Sequence, residues 1–442
     1  MTCNQLHPAW CYNVSKIVGE YITFDDVVIV PGLAPVEPSN VDITGYASKS
    51  IMLPIPVLSS PMDTVTEHRL AILLARMGAL GVIHRNMDSD SQAKEVQKVK
   101  KSNPSLWAEL PRVDSPEALE DLLLRLEETD ARAAIVYHGG MPVGIYIEKG
   151  ADYAYWSGKA KAMITLLELV NPAPLTDEMG YLMVGAAISP FDLERAKKLE
   201  SAGVDVLVTD VAHLHNEGAI RSLKKLVESV SVDVVAGNIG TREAALDILT
   251  RIEDVAGLRV GISSGSICST GEVAGAAVPT LQAVLNVVSA LKELGLHGKI
   301  PVIADGGIRN PGDAAKAIIA GASSVMTGRL FAGTEEAPSK KIRIGDKVYK
   351  TYRGMASRGA MEKRHASDRY SKPSKALEEG IEGLVPYTGS AMIKLMELAT
   401  GLQAALGYAG AGNIREAWEK GRLAKITPIG SMEIKPHDIL TK

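Results

Sequence analysis

The chain has 442 residues, more than one ordinary domain holds, so we expect a large core with an inserted or appended module. Its formal net charge of −4 gives no reason to expect nucleic acid as a partner. Three cysteines are too few for a disulfide framework and favour a reducing cytoplasm. The amino terminus does not read as a signal peptide, and no apolar run reaches the ~18 residues of a membrane span.

After an extended segment at residues 21–32, apolar runs without alternation recur along the chain, and helical patterns separate them. The eight runs are residues 55–60, 81–84, 182–188, 204–210, 232–238, 258–263, 301–307 and 324–328. The helical patterns are 66–77, 89–101, 190–202, 218–230, 241–252, 280–294 and 312–320. Such runs suit parallel strands covered on both faces. They predict an α/β fold, a (β/α)8 TIM barrel. A doubly wound sheet is the alternative, but no run is followed at once by Gly-x-Gly-x-x-Gly.

Two segments do not fit the barrel, which we assign to residues 1–101 and 175–442. Residues 102–174 predict a small inserted module with a helix at Ser115–Glu128 and a hairpin that turns at Gly139-Gly140. The segment of about residues 340–388 is long and polar, which is typical of a lid or catalytic flap.

Polar or small residues follow the predicted strands. They are Ser60, Asp210, Asn238, Cys268, Asp305 and Gly328. Because TIM-barrel enzymes carry their sites at the carboxyl ends of the strands, we expect these residues to share one face. The glycines at positions 306, 307 and 328 favour a phosphate cradle in the last two loops.

Cys268 is the only cysteine beyond position 11, and it lies among small residues and hydroxyls, with Thr270 two positions away. Small neighbours let the backbone approach a ligand, and a thiolate is a covalent nucleophile. The alternative is a buried cysteine that behaves as a small apolar residue. These residues alone leave both interpretations open.

Seven motifs, in order along the chain, resemble those of the family of IMP dehydrogenase and GMP reductase, with closer similarity to the dehydrogenase. They are Thr23-Phe-Asp-Asp-Val, Ser59-Ser-Pro-Met-Asp-Thr-Val-Thr-Glu, Gly265-Ser-Ile-Cys-Ser-Thr, Ala304-Asp-Gly-Gly-Ile-Arg, Ala332-Gly-Thr-Glu-Glu-Ala-Pro, Tyr352-Arg-Gly-Met and Glu379-Gly-Ile-Glu-Gly. The resemblance covers residues 23–438 without the insert. It implies oxidation of IMP to XMP with NAD, a potassium ion, a cytoplasmic homotetramer and a role in guanine nucleotide synthesis.

The resemblance also implies a role for each site residue. It implies that Cys268 attacks C2 of the hypoxanthine ring to give a covalent thioimidate, that Thr270 assists, and that Arg369 and Tyr370 activate water to hydrolyse the adduct. The substrate contacts it implies are Ser60, Met62, Ser266, Asp305, Gly307, Gly328, Arg329, Tyr352, Gly354, Met355 and Glu379. The cofactor contacts are Asp210, Asn238 and Gly261. The potassium ligands are Ser263, Gly265 and Cys268. Taken alone, Arg369 is better explained as an exposed loop cation.

Four features depart from the family pattern. Ser263 stands where glycine is usual, Arg329 where the dehydrogenase usually has serine, and Gly271 where glutamine or arginine is common. The insert is too short for a tandem pair of CBS modules, and residues 115–147 resemble one degenerate CBS unit.

Three functions remain open at this point. The dehydrogenase is preferred, because a hydrolytic Arg369-Tyr370 pair has no use in a reductase that releases ammonia. GMP reductase, which converts GMP to IMP with NADPH, is the alternative, and Glu335 or Glu336 would fit its chemistry. A purine-nucleotide-binding regulator without catalysis is the third, favoured mildly by the departures in the cysteine and phosphate loops.

Overall fold

The computed structural model describes residues 16–104, 174–362 and 378–434, together with short strands at 112–113, 133–138, 141–149 and 152–153. Arg369 and Tyr370, the helix predicted at 115–128 and the turn at 139–140 lie outside the described residues.

Eight parallel strands close into a barrel, which confirms the predicted fold. They are β1 (Val57–Ser59), β2 (Leu80–Ile83), β3 (Gly185–Ile188), β4 (Val206–Thr209), β5 (Asp233–Ile239), β6 (Gly257–Val260), β7 (Val302–Asp305) and β8 (Ser324–Thr327). Each strand pairs with the next along the chain, and β8 pairs with β1. Six of the eight are buried at every residue and the other two at all but one, as their continuous apolar sequences predict.

Helices cover the outside of the barrel. They are α1 (His68–Arg76), α2 (Ser89–Lys100), α3 (Leu193–Ser201), α4 (Glu217–Ser229), α5 (Arg242–Arg251), α6 (Thr280–Glu293), α7 (Pro311–Ile319) and α8 (Ala391–Tyr408). Most begin at a side chain that accepts the hydrogen bond of a free backbone N–H. The capping residues are Asp88, Asp192, Asn216, Thr241, Asn310 and Ser390. Each helix buries the face turned to the strands, as Ile220, Leu223 and Leu226 do in α4.

The amino-terminal segment is more than the extended strand that its sequence predicts. A 3-10 turn at Phe24–Asp26, capped by Thr23, precedes the short strand Val27–Ile29. That strand pairs with Leu423–Lys425, so segments near both ends of the described chain lie together, and the Lys316 Nζ on α7 donates to the Phe24 carbonyl at 2.8 Å. A second short pair joins Gly45–Tyr46 to Met52–Leu53, and the helices Ile414–Lys420 and Pro428–Glu433 complete the carboxyl-terminal region.

The segment predicted as a long polar loop contains a sheet. Strands Lys341–Ile344, Lys347–Arg353 and Glu382–Pro386 form a three-stranded antiparallel sheet, and a short helix, Arg358–Glu362, follows its middle strand. We call these three strands the flap sheet. Its middle strand carries Tyr352 toward the barrel and leads directly into Gly354 and Met355.

In the insert, strands Ala133–His138 and Met141–Lys149 pair antiparallel, which confirms the hairpin predicted there. Arg112–Val113 and Asp152–Tyr153 add two short outer strands to the same sheet. None of the helices in the described ranges has both the length and the apolarity needed to cross a membrane.

Candidate active site

One pocket at the carboxyl ends of the strands collects the predicted site residues. Its lining includes every residue assigned above that the structure describes, except Asp210. Cys268 lies in the loop between β6 and the short helix Thr270–Val273, and its side chain is exposed. An exposed thiol in a pocket excludes the interpretation of Cys268 as a buried apolar residue.

The sulfur of Cys268 lies between two hydroxyl groups. The Thr270 Oγ1 is 3.3 Å from Sγ and the Ser263 Oγ is 3.6 Å away. Thr270 in turn donates to the Glu379 Oε2 at 3.0 Å. Glu379 is buried, so its carboxylate has a fixed place beside the nucleophile.

Backbone pairing locks the cysteine loop to the segment that carries Glu379. The Ser269 N–H donates to the Glu379 carbonyl at 3.0 Å, and the Ile381 N–H donates to the Ile267 carbonyl at 3.1 Å. These residues are more than a hundred positions apart in the chain. The pairing therefore builds the wall of the pocket from both the barrel and the flap sheet.

A narrow cradle surrounds Gly328 in the same pocket. A Cβ at this position would lie 2.9 Å from the Met62 Sδ and 3.0 Å from the Tyr352 hydroxyl, so only glycine fits without displacement. The Ser266 hydroxyl lies 3.5 Å from the Tyr352 hydroxyl. Hydroxyls converging on a glycine-lined concavity suit the oxygens of a phosphate group.

Two further features of the cradle favour an anion. Burial raises the pKa of Tyr352, although the Ser266 hydrogen bond and the charge of Arg329 act in the opposite direction, so the phenol stays protonated and can donate. Arg329 is exposed and lines the pocket, so its guanidinium can reach an incoming phosphate.

Asp305, at the end of β7, sits between the two halves of the pocket. Its Oδ2 accepts hydrogen bonds from the Asn238 amide at 2.9 Å and from the Arg259 Nε at 2.8 Å. Both bonds fix the orientation of the Asp305 carboxylate, and Asp305 lines the pocket. A fixed carboxylate of this kind can accept from the two hydroxyls of a ribose.

Asp210 lies beside the pocket and not in its lining. Its side chain is 1% exposed, and its Oδ1 accepts from the Arg259 guanidinium at 3.2 Å. Arg85, which is also buried, donates to the Asp210 carbonyl at 2.9 Å. The structure therefore puts Asp210 in a buried charge network, and its direct contact with a ribose stays a prediction.

Asn238 and Gly261 line another part of the pocket. The Asn238 amide nitrogen donates to the Gly261 carbonyl at 3.0 Å as well as to Asp305, which fixes the orientation of the amide. Its Oδ1 is buried and has no hydrogen-bond partner among the described residues. A buried acceptor without a partner fits a ligand hydroxyl at this place.

The flap sheet is tied to the barrel by a buried ion pair that sequence reasoning missed. The Arg353 Nε donates to the Asp63 Oδ1 at 3.0 Å, and its Nη2 contacts the other carboxylate oxygen. Asn86 donates to the same carboxylate at 2.9 Å. Burial alone would raise the pKa of Asp63, but the hydrogen bonds from Arg353 and Asn86 hold it below its usual value.

Arg259 was not predicted as a site residue either, although its place in the sequence was informative. It is a charged residue inside the apolar β6 run, it is buried, and its guanidinium reaches both Asp210 and Asp305. Buried charges are retained where they are paired. Arginine in the middle of a predicted buried strand therefore indicated two carboxylates nearby.

The glutamates proposed for a reductase do not line the pocket. Glu336 accepts from the Ser390 hydroxyl and the Ala391 N–H at the start of α8. Glu335 accepts from the Tyr387 hydroxyl at 2.8 Å and pairs with Lys341. The carboxylate that reaches Thr270 is that of Glu379.

Comparison with known proteins gives the same family as the motifs. The sequence model of the IMP dehydrogenase / GMP reductase domain matches residues 21–437. Inosine-5′-monophosphate dehydrogenase of Korarchaeum cryptofilum is 43% identical, over 94% of this chain and 96% of that protein. The enzymes of the same name from Thermoplasma acidophilum and Cryptosporidium parvum are each 40% identical, over 96% of this chain and 95% and 97% of theirs. This chain therefore belongs to the IMP dehydrogenase / GMP reductase family.

Proposed function

We propose that this protein is an oxidoreductase that converts IMP to XMP with NAD in guanine nucleotide synthesis. The observation that carries the proposal is the contact chain Cys268–Thr270–Glu379, which joins an exposed thiol to a buried carboxylate through one hydroxyl. Relatives named inosine-5′-monophosphate dehydrogenase, at 37–43% identity, support the same substrate.

In this proposal the Cys268 thiolate adds to C2 of the hypoxanthine ring, and the hydride on C2 departs. NAD, when bound, supplies the hydride acceptor. The thioimidate that remains on Cys268 is then attacked at C2 by water, the C–S bond breaks, and XMP leaves with the free thiol restored. Thr270 assists beside the sulfur, and Glu379, with the backbone of Gly354 and Met355, holds the purine edge.

The shape of the pocket supports the proposed substrate orientation. The phosphate lies in the cradle of Ser266, Gly307, Gly328, Arg329 and Tyr352. The ribose hydroxyls meet Asp305, while Ser60 and Met62 flank the nucleotide. The nicotinamide riboside then occupies the side next to Asn238 and Gly261, where the partnerless Asn238 Oδ1 supports a hydroxyl-bearing ligand.

We propose that backbone oxygens of the cysteine loop hold a potassium ion. Carbonyls are the ligands that potassium takes in proteins, and we propose those of Ser263, Gly265 and Cys268. Ser263 has φ 57°, which a glycine adopts freely, so the serine keeps the backbone path that glycine would have there. We propose that the ion orders this loop within a homotetramer.

The test compares the two activities of the family in one spectrophotometer. The purified protein is given IMP with NAD, and separately GMP with NADPH, while the absorbance of the reduced nicotinamide is followed. We expect absorbance to rise with IMP and NAD and to stay constant with the other pair. NADPH consumption with GMP would instead support the reductase, and no change with either pair would support a non-catalytic nucleotide-binding protein.

A variant in the flap distinguishes the dehydrogenase from the reductase by its effect on individual reaction steps. If Arg369 and Tyr370 activate the hydrolytic water, Arg369→Ala keeps hydride transfer and slows the release of the Cys268 adduct. We expect a burst of NADH equal to the enzyme concentration, followed by slow turnover. Unchanged steady turnover of IMP without a burst would remove both residues from the mechanism.

A further inference from the structure

The backbone at Ser263 is unusual. Its φ is 57°, and it is the single non-glycine residue with positive φ in the described ranges. A residue with a Cβ pays roughly 1–2 kcal/mol in this left-handed region, and such strain concentrates at functional sites. Glycine would avoid the strain, so the side chain of Ser263 has to be explained by what its hydroxyl does.

The hydroxyl of Ser263 ties the two ends of the cysteine loop together. Its Oγ accepts a hydrogen bond from the Gly271 N–H at 2.6 Å. Gly271 is in the first turn of the short helix Thr270–Val273, whose N-cap residue Ser269 makes no capping bond with its own side chain. Ser263 therefore satisfies an N–H that the helix leaves free.

The same oxygen lies 3.6 Å from the Cys268 Sγ. Because the Gly271 N–H occupies one lone pair of the Ser263 Oγ, the hydrogen of the hydroxyl is free to point at the sulfur. It can donate to the thiolate, which is the form of cysteine that attacks. Ser263 thus contacts the nucleophile and closes the loop that carries it.

Ser263 and Gly271 are also matched in size. A Cβ built at Gly271 would lie 3.1 Å from the Ser263 Oγ and 3.2 Å from the Ala277 Cβ. A larger residue at 271 would have to displace the hydroxyl that its N–H binds. The two positions at which this loop departs from the family pattern are therefore in direct contact.

We propose that Ser263 is a positioning residue for the nucleophile: with Gly271 it forms a hydrogen-bonded clamp that holds the Cys268 loop closed and presents a hydroxyl to the sulfur. The clamp deepens the proposed function, since it acts on the cysteine to which that function assigns the covalent step. It requires a small residue at position 271 whenever position 263 is serine.

The test measures the reactivity of Cys268 without substrates. The full chain and its variants are treated with iodoacetamide at one pH and one KCl concentration, and modification of the Cys268 peptide is followed by mass spectrometry. We expect Ser263→Ala and Ser263→Gly each to slow alkylation about fivefold, the factor that one net hydrogen bond gives. Ser269→Ala, which removes a neighbouring hydroxyl outside the clamp, is the control and should react like the wild type.

Comparing glycine and alanine at position 263 distinguishes the loss of the clamp from a loss of stability. Ser263→Gly relieves the backbone strain, so its Tm should equal or exceed that of the wild type while Cys268 reacts more slowly. Gly271→Ala should slow alkylation more in the Ser263 background than in the Ser263→Gly background. The hydroxyl that the added methyl group would crowd is absent from the Ser263→Gly protein. In IMP turnover, kcat should fall in the Ser263 variants with little change in KM.

Alkylation rates equal to or above that of the wild type in both Ser263 variants would overturn the clamp, as would identical effects of Gly271→Ala in the two backgrounds. The proposed function is tested separately, because alkylation needs no nucleotide. Slower alkylation together with no turnover of either nucleotide pair would keep the clamp and reject the dehydrogenase.

Discussion

At the scale of single residues, the shape of the pocket depends on a glycine, which lacks a Cβ, as much as on the side chains around it. Gly328 admits the Met62 thioether and the Tyr352 hydroxyl to within 3.0 Å of the place where a Cβ would stand. Tyr352 belongs to the proposed phosphate cradle, and Met62 is proposed to flank the nucleotide. A methyl group at this position would therefore displace two groups proposed to contact the nucleotide, and Cys268 is not among the nearest atoms that it would meet.

We expect Gly328→Ala to raise the KM for IMP roughly tenfold, about 1.4 kcal/mol of binding, with a smaller change in kcat. Gly383→Ala is the matched control, because a Cβ at Gly383 in the flap sheet would meet no atom within 4 Å. Steady-state kinetics and calorimetric titration with IMP check both variants. Equal IMP affinity in Gly328→Ala and the wild type would place the phosphate elsewhere.

At the scale of elements, one carboxylate joins the first two helices. The Glu95 Oε2, on α2, accepts from the backbone N–H of His68 at 2.9 Å and from its ring Nδ1 at 2.7 Å, at the start of α1. The N-cap residue of α1, Glu67, makes no capping bond of its own. Glu95 therefore does for α1 what a capping side chain does in the other helices.

This contact predicts a loss of stability in acid. Burial alone would raise the pKa of Glu95, but the hydrogen bonds from His68 and Lys98 outweigh it and lower the pKa from 4.5 to about 2. Because the folded-state pKa is the lower one, the contribution is complete above pH 4.5 and disappears as the pH falls toward 2. Its size is about 3 kcal/mol at most.

Glu95→Gln should consequently have a lower Tm than the wild type at pH 7, and the difference should shrink as the pH falls from 4.5 toward 2. The exposed Glu253→Gln is the control and should follow the wild type at every pH. Differential scanning fluorimetry across this range measures both. A Tm difference that does not change with pH would mean that the hydrogen bonds of Glu95 do not depend on its charge.

The barrel elements could be predicted because each strand is buried on both faces and reads as a continuous apolar run. The flap sheet could not be found by that rule, since its strand Lys341–Ile344 is exposed throughout. The turn between its first two strands was predictable from the sequence Gly345-Asp346, which connects two paired strands. Gly345 has φ 59°. Thr270 and Glu379, by contrast, meet only through folding, because 109 residues separate them.

At the scale of the whole molecule, the closed barrel collects the ends of distant strands at one face. Arg259 on β6 reaches Asp210 after β4 and Asp305 on β7, so three strands share one buried charge network. The motifs could predict that Ser60, Cys268 and Gly328 line one pocket, since each follows a barrel strand. They could not predict that Asp210 would be enclosed by two arginines, because that depends on the relative register of strands far apart in sequence.

The insert leaves and rejoins the barrel at one place. At its start, the Asn103 carbonyl accepts from the Arg76 Nε at 2.9 Å, and after its end the Leu175 N–H donates to the Ala75 carbonyl at 2.7 Å. Its two ends are thus tied to consecutive residues at the end of α1. None of the residues assigned to the pocket lies within it.

A short connection can therefore replace the insert without distorting the barrel. We propose that residues 102–174 are a separate module, and we expect a variant with Ser105–Val170 exchanged for a short Gly/Ser linker to keep kcat and KM for IMP close to those of the parent. Size-exclusion chromatography shows whether its assembly is unchanged, and kinetics are compared for fractions of the same size. Because every pocket residue in the described ranges comes from the barrel or the flap sheet, a folded variant of parental size without activity would mean that the insert completes the site.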